Sequence, residues 1–139
     1  MNFLFDLISP AAEPSCCVGF EEMVDGLRNK HAILSTMPDR DCLIRGTMTD
    51  DEEDRYVAAC LSTYSSTPVI VIYGRNACDP APDAKRTQLM RLGFGMNDVC
   101  IYRGGMFEWM LLRDISGDAE FPATKPERDI LRYRPVIQK

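Results

Sequence analysis

The run Pro68-Val-Ile-Val-Ile-Tyr73 constrains this chain more than any other stretch. It is β-branched and aromatic, with no polar position that could face water, which is the pattern of a central parallel strand covered on both faces. Gly74-Arg-Asn-Ala-Cys-Asp-Pro-Ala-Pro82 follows at once. Open α/β sheets place their ligand sites in loops that leave the C-terminal ends of such strands. Gly74, Arg75, Asn76, Ala77, Cys78 and Asp79 are therefore the candidate site. Asp83 is expected to cap the next helix, Leu89, Met90 and Leu92 give that helix an apolar side, and Gly93 ends it.

The chain has 139 residues, 45% of them apolar, enough for one core without metal or disulfide staples. Its net charge is −5 with both signs mixed along the chain, and no Lys/Arg cluster offers the footprint of a nucleic-acid binder. Nucleic acid is not an expected partner. The six cysteines (Cys16, Cys17, Cys42, Cys60, Cys78 and Cys100) contain no C-x-x-C pair, and His31 is the single histidine. No secretory signal precedes them, so reduced thiols and a cytoplasmic setting are expected, with no metal site. Cys42, Cys60 and Cys100 lie in apolar runs and are read as small buried hydrophobes. No apolar stretch reaches the ~20 residues needed to span a bilayer, so a membrane is not expected either.

Phe3, Leu4, Phe5, Leu7 and Ile8 make a short greasy segment, and Ala11 to Ser15 with two prolines reads as a linker. The segment packs on its own domain or docks on a partner or a membrane surface. Phe20, Met23, Val24 and Leu27 recur at helical spacing behind Glu21 and Glu22. Ala32 to Met37 and Cys42 to Ile44 read as strands. Thr49 followed by Asp50, Asp51, Glu52 and Glu53 reads as an N-cap with acidic residues in the first turn, so helix-dipole chemistry explains the acidic run better than catalysis does. Val99 to Tyr102 is a further buried strand, and Met106, Phe107, Met110 and Leu111 give a helical face after the turn Arg103-Gly-Gly105. Ile130 to Lys139 is a mixed tail in which Leu131, Tyr133 and Val136 are available for docking.

Several of these residues resemble the rhodanese-like (sulfurtransferase homology) family. Arg103-Gly-Gly-Met-Phe-Glu-Trp109 is similar to that family's Gly-Gly-x-x-x-Trp closing motif, which makes Gly104, Gly105 and Trp109 structural markers. Leu92-Gly93-Phe94 is similar to its Gly-Phe turn, and Cys42-Leu-Ile-Arg-Gly-Thr47 to its His-Ile-x-Gly-Ala segment with both outer residues changed. The likeness runs from about Phe20 to Trp109. It implies a single α/β domain over 19–118 with a mainly parallel five-stranded sheet and helices on both faces, preceded by a segment and linker (1–18) and followed by a tail (119–139).

The resemblance also implies a catalytic cysteine directly after the central strand, where a cradle of backbone N–H groups at a helix N-terminus lowers the thiol pKa. This chain has Gly74 there. Pro80 and Pro82 remove two donors from any such cradle, and Ser35-Thr-Met37 stands where the family carries Asp-x-Arg. The reading that follows is a catalytically degenerate domain serving as a protein-interaction or scaffold module, with no cofactor and with a protein partner or larger assembly. The alternative is a sulfurtransferase in which Cys78 is a displaced nucleophile and Arg75 steers the anionic donor. A third reading keeps an anion pocket without turnover on Arg75, Asn76 and the helix start near Asp83, opposed by the charges of Asp79 and Asp83.

Overall fold

The computed structural model describes residues 17–62 and 69–136. In chain order these form β1 (Cys17–Val18), α1 (Phe20–Arg28), β2 (Ala32–Ser35), α2 (Asp50–Ser62), β3 (Ile70–Tyr73), α3 (Ala81–Leu92), β4 (Val99–Tyr102), α4 (Gly105–Ser116) and a 3-10 turn (Ile130–Tyr133). The four strands lie in the order β1-β4-β3-β2, and every pairing is parallel.

Strand β3 is central, as its composition predicts, with Ile70 paired to both Ala32 and Val99 and Tyr73 to both Ser35 and Tyr102. All four of its residues are buried. Alternation divides them between two cores. Val71 and Tyr73 join Met23 of α1 and Met106, Trp109 and Met110 of α4, whereas Ile70 and Ile72 join Leu89 of α3 and Phe94, with Tyr56 and Val57 of α2 packed alongside. Each such side chain withdrawn from water contributes on the order of 1.5–3 kcal/mol, which is what makes β3 the anchor for the loop that follows it.

The expected five-stranded sheet is corrected to four strands among the described residues. The stretch 42–47 was expected to hold a strand over Cys42 to Ile44, but it turns too tightly. The Thr47 N–H and hydroxyl both donate to the Ile44 carbonyl, at 3.1 and 2.6 Å, and Gly46 takes φ +106. Only single bridges survive, Ile33 with Thr47 in parallel and Ile44 with Ala123 in antiparallel sense.

Both boundaries drawn from the sequence fall inside packed structure. Strand β1 lies within 1–18 and pairs with β4, while Phe121, Ala123 and Tyr133 beyond residue 118 are buried in the α1/α4 core. The apolar segment 1–8 lies outside the described residues. Thr49 caps α2 as expected, and the structure makes the cap reciprocal with Glu52, whose N–H donates to Thr49 Oγ1 at 3.2 Å while the Thr49 N–H donates to Glu52 Oε1 at 3.1 Å.

Cys17, Cys42, Cys60 and Cys78 stand outside any disulfide, but Cys100 is disulfide-bonded, against the expectation of reduced thiols throughout.

Candidate functional site

The loop 74–80 leaves the buried end of β3 and is organised by two of its own polar side chains. Asn76 closes a short turn, its Oδ1 accepting the Cys78 N–H at 2.9 Å and its carbonyl accepting the Asp79 N–H at 3.2 Å. Asp79 joins the two ends of the loop. Its Oδ2 accepts the Arg75 N–H at 2.9 Å and its Oδ1 the Ala81 N–H at 3.0 Å, the latter belonging to the first turn of α3. A carboxylate at that position meets free main-chain donors and the positive end of the helix dipole.

This carboxylate also occupies the volume above Gly74. A Cβ placed on Gly74 would lie 2.5 Å from Asp79 Oδ2 and 2.8 Å from Cγ of Pro82. No real Cβ tolerates such distances, so a side chain at 74 requires Asp79 and the proline ring to move.

The opposite wall is the start of α4. Gly105 takes φ +67, and a Cβ there would stand 2.7 Å from the Gly74 carbonyl oxygen and 3.0 Å from the Asn76 nitrogen. With no side chain in the way, the Met106 and Phe107 N–H groups donate to the carbonyls of Gly74 and Arg75, both at 2.9 Å. Gly104 is bare for a different reason. The Glu108 side chain folds back over it and accepts the Tyr102 hydroxyl proton at 2.7 Å. Burial, followed by this carboxylate, pushes the Tyr102 hydroxyl pKa well above its ordinary value. Trp109 is fully buried; its indole N–H donates to the Pro122 carbonyl at 3.0 Å, and its ring meets Tyr102 and Phe121 edge-on at 6.0 and 5.1 Å.

Asp83 does not cap α3. The helix begins two residues earlier, Asp79 serves its first turn, and Asp83 instead accepts both arms of the Arg103 guanidinium at 2.7 and 2.8 Å. That pairing holds the Asp83 carboxyl below its usual range.

Residues 129–136 lie across the mouth of the loop. Asn76 Nδ2 donates to the Tyr133 carbonyl at 2.8 Å, and the Arg75 guanidinium donates to the Arg132 carbonyl at 2.9 Å. A cleft of about 380 Å³ remains, lined by Thr36, Arg75, Cys78, Asp79, Arg134 and Val136. The structure thus brings Gly74, Arg75, Asn76, Cys78 and Asp79 together with Gly105, while Gly104 and Trp109 support that wall from behind. Cys78 is exposed on the loop.

A second cleft, of about 440 Å³, lies between the starts of α2 and α3 beside Ser35 and Pro38. Its charged residues are paired with one another, Arg40 with Asp50 and Lys85 with Glu53. Among the described residues no group of three or more His, Cys, Asp or Glu could hold a metal, and every buried side-chain N or O has a hydrogen-bond partner.

Sequence reasoning placed Asp79 among the anion-repelling charges of the loop and missed that it closes the loop on itself. The signal was present in Asp79-Pro80 just ahead of a helix, where a short acceptor side chain meets first-turn donors. The contribution of Arg132 and Tyr133 carried no such signal, because main-chain carbonyls do the contacting.

No family model and no curated protein matches this chain. Two solved structures share its fold. The BH2092 protein from Bacillus halodurans is 16% identical and superimposes with a TM-score of 0.55 over 84% of each chain. The Alr3790 protein from Anabaena sp. is 21% identical, with a TM-score of 0.53 over 83% of this chain and 97% of that one. At these identities the likeness speaks to fold alone, a parallel α/β sheet with helices on both faces. No helix among the described residues is long and apolar enough to cross a membrane.

Proposed function

We propose that this chain is a catalytically silent rhodanese-like domain that works as a protein-interaction module. One observation carries the reading: where the rhodanese resemblance expects a nucleophilic sulfur, Gly74 has no side chain, and the carboxylate of Asp79 fills that space. The same carboxylate takes the Arg75 and Ala81 N–H groups, donors of the kind that an oxyanion or a persulfide would otherwise use. The loop is in effect already bound to an anion, one supplied by the chain itself. A soluble anion would have to displace a tethered competitor and then tolerate its charge nearby.

Cys78 is a poor substitute nucleophile on this geometry. Its own N–H is engaged by Asn76, and the Arg75 guanidinium is turned to the Arg132 carbonyl. A reactive thiolate requires donors or positive charge converging on sulfur. The interaction reading draws on the same features, since a fold without turnover still presents Arg75 and Cys78 beside an open cleft.

The test supplies the full chain with thiosulfate or mercaptopyruvate and a cyanide or thiol acceptor. Product should form at the uncatalysed rate. Turnover that is lost in Cys78→Ser would establish the sulfurtransferase alternative instead.

A further inference from the structure

The segment 129–136 contacts the loop in the way a bound peptide contacts a receptor. Two successive main-chain carbonyls, of Arg132 and Tyr133, are read by side chains of Arg75 and Asn76. One side chain of the segment is buried: Tyr133 is 2% exposed and its hydroxyl reaches the thiol of Cys42, whereas Leu131 and Val136 are 58% and 75% exposed. The residue before the anchor is held by charge, with the Arg132 guanidinium bonded to Asp39 across the mouth and to Glu127 at 2.8 Å. Main-chain carbonyl contacts, one aromatic anchor and a charged flank are elements by which a receptor reads a short peptide, here one coiled into the 3-10 turn Ile130–Tyr133.

From this we infer that the groove formed by Asp39, Cys42, Arg75 and Asn76 is a peptide-binding site, occupied in cis by the chain's own 129–136 strap and open to a partner segment in which arginine is followed by an aromatic residue. The inference holds whether or not the loop is catalytically silent. Tyr133 is the strap's one fully buried side chain, with Ile130 half-buried against the same core, and no strap residue pairs with a strand, so release of the strap breaks no sheet pairing and a competing segment inherits the same two carbonyl contacts. Specificity lies in two positions: Asp39 selects the cation, and the pocket over Cys42 selects an aromatic ring with a polar tip. The tether gives the strap a local concentration on the order of millimolar, so partners compete only when the strap is weakened or their own concentration is high.

Two measurements on the full chain test this. In hydrogen exchange of the wild type, the Arg132 and Arg134 amides, both bonded within the strap, should exchange at least tenfold faster than those of Ile70 to Tyr73. Exchange at the same rate as β3 would mean that the strap leaves only on global unfolding and would overturn the proposal. In anisotropy titrations, a labelled peptide of residues 128–136 should bind Tyr133→Ala at least tenfold more tightly than it binds wild type. Adding Asn76→Ala should weaken that binding at least threefold. A folded Tyr133→Ala protein that ignores the peptide, or binds a scrambled one equally, refutes the groove, and should that variant not fold, the exchange result on the wild type decides.

Discussion

A Cβ on Gly105 would come within 2.7 Å of the carbonyl oxygen of Gly74, so the second glycine of the turn before α4 and the first residue after β3 are in direct main-chain apposition. That contact lets α4 donate two N–H groups to the loop and fixes the loop against the helix. The glycines of Arg103-Gly-Gly105 are thus required by the wall of the site. Gly105→Ala would meet both the positive φ and the Gly74 carbonyl, at a cost of roughly 2–4 kcal/mol in unfolding free energy. Urea denaturation measures it, and a change within 0.5 kcal/mol, about the size of an ordinary surface substitution, would contradict the apposition.

Gly74 and Asp79 should behave as one unit. Gly74→Ala drives a methyl group into the Asp79 carboxylate and the Pro82 ring, an overpacking that costs about 1–3 kcal/mol. In an Asp79→Ala background the carboxylate is gone and only Pro82 resists. The cost of Gly74→Ala should then fall by about 1 kcal/mol or more, a coupling that a double-mutant cycle reads directly. Strict additivity would mean that the carboxylate does not occupy this volume.

Acid should loosen the strap and the loop flank before it unfolds the core. Asp39 is held low by the Asp41 N–H and then by Arg132, Glu127 by the Asp129 N–H and then by Arg132, and Asp83 by Arg103. A depressed carboxylate contributes stability that is present above its unfolded value, 3.8 for Asp and 4.5 for Glu, and that is lost as pH falls through the lower folded value. Cys42 acts at the other end: burial, the largest influence, raises its thiol above 9.0, so its contribution is complete below that pH and is lost as pH rises through the folded value. Stability should be flat from about pH 5 to about pH 8 and fall on either side. Denaturation midpoints across pH 3 to 10 check this, and a maximum below pH 4 would contradict it.

The parts of the fold that side-chain chemistry dictates were legible in the chain. The unbroken apolar run of β3, the Thr49 cap and the periodicity of Met106, Phe107 and Met110 found their expected structures, whereas Leu111, expected on the same helical face, is exposed. Less legible were features set by one turn or by main-chain contacts. The turn 44–47 reduces an expected strand to single bridges, and the expected tail after 118 buries Phe121, Ala123 and Tyr133, which stand in no strand or helix periodicity that would announce their burial. At the site, the absence of a side chain at Gly74 was visible at once. That Asp79 would fill the gap depended on the path of the loop back to α3, which spacing alone does not fix.

The most direct test of a silent loop is intact-protein and peptide mass spectrometry of the full chain after incubation with thiosulfate or a persulfide donor. The account predicts no sulfur retained on Cys78 beyond that found on an unstructured cysteine peptide treated alongside. A cyanide-labile persulfide on Cys78, formed stoichiometrically and faster than on that peptide, would contradict it.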